Sequence, residues 1–138
     1  MRILSTIFLF FTFISFSQNI ESHQWENRIL VIYTADKNSK ELENQLFILS
    51  KNKEELLDRK LMIYSFTKNE FRFQFEEYWQ KSTIMDKRYI DKKQAFKIFL
   101  LGLDGEVKLK QTSVVSSEKL LAIIDGMPMR KREVSNKN

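Results

Sequence analysis

The chain contains no cysteine, one proline, one histidine and three glycines in 138 residues. Without cysteine there is no disulfide scaffold, thiol nucleophile, dithiol redox couple or cysteine-ligated metal. With His23 as the single histidine, sites built from several histidines are excluded, and a Ser-His-Asp triad could draw on that residue alone. His23 stands close to the start of the expected mature chain, where termini fray, so no catalytic role is expected of it. Carboxylates are plentiful, but their spacing selects no general acid–base pair. Glu76 and Glu77 are sequence neighbours and point in different directions. No catalytic residue, cofactor or metal is therefore expected.

One long hydrophobic run is present, and it lies at the N-terminus. Arg2 precedes an apolar stretch from Ile3 to Phe16 that holds Phe8, Phe10, Phe11, Phe13 and Phe16. The stretch falls short of the roughly 20 apolar residues that span a bilayer. Ser15 and Ser17 supply the small-x-small pattern for a cut before Gln18. No cysteine follows the cut, which excludes a bacterial lipoprotein anchor. The expectation is a cleaved signal peptide at 1–17 and an exported protein, periplasmic or secreted, with no stable membrane span. An uncleaved anchor is the alternative.

Charge is unevenly placed. The chain carries 23 Lys and Arg against 18 Asp and Glu, a net of +5. Removal of Arg2 with residues 1–17 leaves +4, and residues 126–138 hold four cations against one anion. Residues 18–125 are then nearly neutral at +1. The isoelectric point near 9.4 describes a basic end, expected to be a flexible tail at 131–138. It does not describe a basic face, so no nucleic-acid partner is expected.

The mature chain reads as one α/β domain at 18–130. Arg28-Ile-Leu-Val-Ile-Tyr33 is too continuously apolar for a half-exposed strand and suits a central one. Asn38 and Glu41 form an apparent capping box, followed by a helical stripe of Leu42, Leu46 and Leu49, extended by Leu56 and Leu57. Lys60-Leu-Met-Ile-Tyr-Ser-Phe66 is a second strand, parallel to the first across the helix. Residues 67–94 are ambiguous. Phe71, Phe75, Tyr78 and Trp79 share a helical face, whereas Phe71, Phe73 and Phe75 alternate as in a strand. Helix is the reading taken, with a charged surface loop over 81–93. Phe96-Lys-Ile-Phe-Leu-Leu101 and Val107-Lys-Leu-Lys-Gln111 are strands joined at Asp104-Gly105, a hairpin signal, the second an edge strand. Ser116 caps a last helix, which Gly126 and Pro128 stop. The order β-α-β-(α)-β-β-α describes a single thioredoxin-like domain: a central mixed sheet, a βαβ unit plus the Asp-Gly hairpin, flanked by helices.

Several residues carry a family resemblance. They are Trp25-x-Asn27-Arg28-x-Leu30, Gln45, Arg59, Leu101-Gly-Leu-Asp-Gly-Glu-Val-Lys108, and Ile124-Asp-Gly-Met-Pro-Met-Arg130 with Glu133. Over residues 24–133 the chain resembles the bacterial DUDES-type domain, a thioredoxin-like domain of unknown function. Similar domains occur in animal extracellular matrix proteins, including sushi-repeat proteins. The resemblance implies a fold related to thioredoxins and peroxiredoxins, and redox chemistry by descent. The chain departs from that ancestry. Thr34-Ala-Asp-Lys-Asn-Ser39 has no cysteine where a Cys-x-x-Cys would stand, and no proline precedes Phe96. Fold analogy therefore cannot carry function here.

The candidate binding surface comprises Arg28, Arg59, Asp104, Lys108, Met127, Pro128, Met129 and Arg130. Arg28 and Arg59 adjoin apolar strands and need partners, with Asp104, Asp125 and Glu133 available. Ion pairing that seats the C-terminal segment is the reading taken, with a pocket for a carboxylate or sulfate as the alternative. Met127 and Met129 either close the core near Trp25 or present soft apolar contacts to a partner. Arg130-Lys-Arg132 is expected to be exposed. The free N–H groups of the first helix are read as an ordinary capped helix start; an anion there, assisted by Lys37 and Lys40 and opposed by Asp36, is the alternative. The expected function is a non-redox binding or accessory module. Its partner would be an envelope or extracellular protein, or an acidic glycan. A small-ligand sensor or an enzyme with an arginine-lined pocket is the alternative.

Overall fold

The computed structural model describes residues 20–81, 89 and 93–137. The expected export segment at 1–17 and most of the expected loop at 81–93 lie outside them. A 3-10 turn at Ile20–His23 leads into β1 (Arg28–Thr34), α1 (Lys40–Ser50), α2 (Lys53–Asp58) and β2 (Leu61–Phe66). There follow β3 (Glu70–Phe73), β4 (Gln80–Lys81), β5 (Phe96–Leu101), β6 (Val107–Gln111), α3 (Ser117–Asp125) and α4 (Pro128–Asn136). The strands form one six-stranded sheet in the order β4-β3-β2-β1-β5-β6.

Every residue of β1 is buried, as its continuous apolar run requires of a strand covered on both faces. It runs parallel to β2, with Leu30 opposite Ile63, and antiparallel to β5, with Leu30 opposite Leu100. On one face Leu30 and Ile32 meet Leu42, Leu46 and Leu49 of α1, Leu56 of α2, and Leu120 and Ile124 of α3. On the other, Ile29 and Val31 meet Ile20, Tyr64, Phe66, Tyr89 and Phe99. Each such fully buried leucine contributes about 2 kcal/mol.

Local chemistry sets the element ends. The N-cap of α1 is Ser39, whose Oγ accepts the Leu42 N–H at 3.1 Å, so the expected Asn38–Glu41 capping box lies one residue too early. The leucine stripe breaks after Ser50, and Leu57 points outward. Buried Gln45 pairs both ways with the Val115 backbone, at 3.0 and 2.8 Å, which ties α1 to the loop before α3. Ser116 caps α3 through the Lys119 N–H. Gly105 takes φ +79° in the turn between β5 and β6, a conformation glycine adopts without strain.

Two expected elements are corrected. Residues 70–73 form a strand, not a helix: Phe71 and Phe73 sit opposite Phe66 and Tyr64, so the alternating pattern prevails over the helical one. Thr67 closes the β2–β3 turn by accepting the Glu70 N–H on its hydroxyl. Gln74 then ends the pairing at φ +54°, its Oε1 accepting the Ile63 N–H. The second correction concerns Pro128. Gly126 does end α3, but Pro128 opens α4 from its first turn, where a missing N–H costs nothing. Residues 131–136, expected to be tail, are therefore helical.

Candidate functional site

Burying Arg28 at the head of β1 dictates much of the C-terminal structure. Its side chain is 0% exposed, and a guanidinium out of water requires acceptors. Nη1 donates to the Arg59 carbonyl at 2.9 Å and to both Glu133 carboxylate oxygens at 3.1 and 3.2 Å. Nε and Nη2, also buried, have no hydrogen-bond partner among the described residues. Arg130, expected to be exposed, is 4% exposed: Nη2 donates to Asp58 at 2.7 Å, and Nη1 to the Asp58 carbonyl and to Glu133. Arg59 grips Asp125 side-on, Nε to Oδ1 at 2.8 Å and Nη2 to Oδ2 at 3.0 Å. Lys137 reaches Asp58 from the far end of α4.

The electrostatics follow this geometry. Hydrogen bonds from Lys137 and then Arg130 lower the Asp58 pKa from 3.8 to about 2. The Arg59 fork lowers the Asp125 pKa, and Asp125 raises that of Arg59. Burial alone would depress the Arg130 pKa, but its bonds to Asp58 and Glu133 raise it on balance.

Beside this cluster lies a groove of about 490 Å³. Its apolar walls are Leu103, Ala122 and Ile123, and the Met127-Pro128-Met129 corner between α3 and α4. Arg28, Asp104 and Lys108 are its charged lining. Lys108 donates to Asp104 at 3.0 Å and to Glu106 at 3.4 Å, and the Asp104 bond raises its pKa. Burial pushes the Asp104 carboxyl upward, and the Glu106 N–H and Lys108 outweigh it. A Cβ at Gly102 would stand 2.7 Å from Lys108 Cε, so this glycine leaves room for the lysine to fold back. Trp25 is tied by its backbone to Leu103 of the groove wall. Its N–H donates to the Leu103 carbonyl at 2.6 Å, its φ is +71°, and its side chain is 62% exposed.

Of the eight sequence-selected residues, six line this groove: Arg28, Asp104, Lys108, Met127, Pro128 and Met129. Arg59 and Arg130 do not. They line a separate cleft of about 410 Å³ with Asp125, Lys131 and Val134. Met127 joins the core, Met129 is half-buried and Pro128 is exposed. Ile123 and Asp58 were not singled out from the sequence, and Leu103 was named only within the stretch that carries the family resemblance. For Ile123 the signal was available: Leu120, Leu121, Ile123 and Ile124 are more apolar residues than one helix face can bury.

At the other end of the sheet, the start of α1 borders a cavity of about 370 Å³. Lys37 and Arg72 share it with Glu43, Glu76 and Glu77, a mixture that gives an anion no net attraction. Burial lowers the Arg72 pKa. His23 is structural: Nδ1 meets Asn27 Oδ1 at 3.2 Å and Nε2 meets the Tyr64 hydroxyl at 2.6 Å. Among the described residues no cluster of three potential metal ligands occurs, and no helix is long and apolar enough to cross a membrane.

Residues 19–133 match the family described as Domain of unknown function (DUF4174). Among solved structures, a reduced 2-Cys peroxiredoxin from Plasmodium vivax is similar at 11% identity and a TM-score of 0.59. The match covers 83% of this chain and 72% of that one. It shows a thioredoxin-like fold, and at that identity the fold alone. No curated protein matches. The loop at 34–39 has no cysteine, so thiol chemistry does not accompany the fold.

Proposed function

The chain belongs to the DUF4174 family, and from that premise we propose an exported, non-redox binding or accessory module that holds an apolar segment of an envelope or extracellular protein. The observation that carries this reading is the groove at the α3–α4 corner. Its volume of about 490 Å³ falls in the range of ligand sites, roughly 300–1,000 Å³. Apolar walls with few polar groups are the usual composition of such sites. Methionine suits a surface that adapts to its occupant. Exposed Trp25 beside Leu103 favours a macromolecular partner, because tryptophan is enriched at interface hot spots. Export rests on the pattern at 1–17, and the resemblance to extracellular matrix domains agrees with it. Arg28 and Arg59 line different cavities, and in the second the Arg59 and Arg130 guanidiniums are already engaged by Asp125, Asp58 and Glu133, so an arginine-lined ligand pocket is not the reading adopted.

The test places a photo-crosslinking amino acid at Ile123 or, as control, at exposed Phe47, in cells that make the protein. A discrete adduct from position 123, absent from position 47 and lost on Met129→Glu, supports the groove. Equal adducts from both positions, or none from position 123, overturn it.

A further inference from the structure

Arg28 has more donors than its surroundings use. Nη1 serves Arg59 and Glu133, while Nε and Nη2 are buried and have no partner among the described residues. Native proteins leave few buried donors so, and each calls for an explanation, a water or an anion among them. The free pair is chemically specific. Nε and Nη2 are the edge by which Arg59 takes both oxygens of Asp125, the side-on arrangement that fits a carboxylate. Arg28 also lines the apolar groove.

We propose that the groove receives the free C-terminus of a partner polypeptide, its terminal carboxylate on the Nε/Nη2 edge of Arg28 and its last apolar side chain between Ile123 and Met129. The inference rests on the groove reading above and deepens it. The cluster joins Arg28, Arg59, Arg130 and Lys137 to three carboxylates, Asp58, Asp125 and Glu133, and on the groove's side Lys108 pairs with both Asp104 and Glu106. The two excesses cancel, so the Arg28 edge and not net charge selects the carboxylate. A chain end, unlike an internal Asp or Glu, places an apolar side chain on the same residue as the carboxylate, which suits walls of leucine, isoleucine and methionine. β6 is an edge strand, and its Lys108 lines the groove. An extended peptide can pair along that edge on its way in. Arg28 lies beneath the groove surface, and the unbranched methionines can turn aside to admit the carboxylate.

The experiment compares acetyl-Ala-Val-Leu as the free acid and as the C-terminal amide, titrated into the purified protein. The readouts are the Ile123 and methionine methyl resonances and the Arg28 Nε–H signal. The acid is expected to bind at least about tenfold tighter, equivalent to ~1.4 kcal/mol, and to move the Arg28 signal where the amide does not. Glu133→Gln removes a negative charge beside Arg28 without touching the Nε/Nη2 edge, and should raise the acid-to-amide ratio about threefold. Arg28→Lys, if it folds, should abolish the preference for the acid. Equal binding of acid and amide at the groove methyls overturns the carboxylate inference and leaves the groove reading intact. Binding of neither peptide overturns the inference, and the Ile123 crosslink then decides the groove separately. An acid-to-amide ratio unmoved by Glu133→Gln assigns Arg28 a purely structural role and overturns the inference as well.

Discussion

Adjacent cations can have opposite roles, as Arg130 and Lys131 do. Arg130 is buried against Asp58 and Glu133, whereas Lys131 is exposed. Removing one member of a buried pair strands the other. Arg130→Met should cost about 2–4 kcal/mol in urea unfolding, discounted from the fully buried case because Asp58 is half-exposed. Lys131→Glu should stay within about 0.5 kcal/mol. Equal costs would place Arg130 outside the fold's supports. Asp58 adds a pH dependence of definite sign. Its folded pKa of about 2 lies below the ordinary 3.8, so its stabilisation is present above about pH 4 and is lost as pH falls towards 2. Melting temperature should drop across that window, and less steeply in Asp58→Asn, whose starting stability is lower. Parallel slopes for the two proteins would assign the acid transition to other carboxylates.

Elements were legible in the sequence where a local pattern had a single solution. β1 could only be a covered strand, and Ser116 with Gly126 bounds α3. Residues 70–73 were less legible because Phe71 and Phe75 fit a helix and Phe71 and Phe73 a strand. Only pairing with Tyr64 and Phe66, several residues away, decides between them. α4 was illegible for a different reason. Its composition is polar, and what holds it is long-range: Glu133 to Arg28, Arg130 to Asp58, Lys137 to Asp58. That makes α4 a structural brace whose loss is measurable. A chain ending at Met129 strands the Arg28 guanidinium beneath the groove without Glu133, and should lose about 3 kcal/mol or more, seen as a lower melting temperature by circular dichroism. An unchanged melting temperature would show that Arg28 finds other acceptors, and residues 130–138 would then be the tail that composition suggested.

At the scale of the whole molecule, the sequence marked six of the groove's residues but not that they form a groove, because three distant stretches build it: Arg28, residues 102–108 and residues 122–129. Their depths in the fold differ. β1 lies near the centre of the sheet, with apolar layers on both faces. β6 is an edge strand with an irregular register between Leu100 and Leu101, and α4 is held chiefly by charge. Amides in central strands open only with global unfolding, whereas edges open locally. Hydrogen exchange should therefore find the slowest amides in β1, β2 and β5. Earlier exchange is expected in β3, β4, the outward-facing amides of β6, and α4. Exchange of α4 as slow as that of β1 would contradict this ordering and make the α3–α4 corner rigid. The difference bears on access to Arg28, which sits on the slow strand below a wall supplied by faster elements. Local opening of α4 or of the Met127–Met129 corner can expose its free edge while the sheet stays folded. A rigid corner would instead keep Arg28 sealed, and its unpartnered donors would be a cost of the fold with no ligand to relieve it.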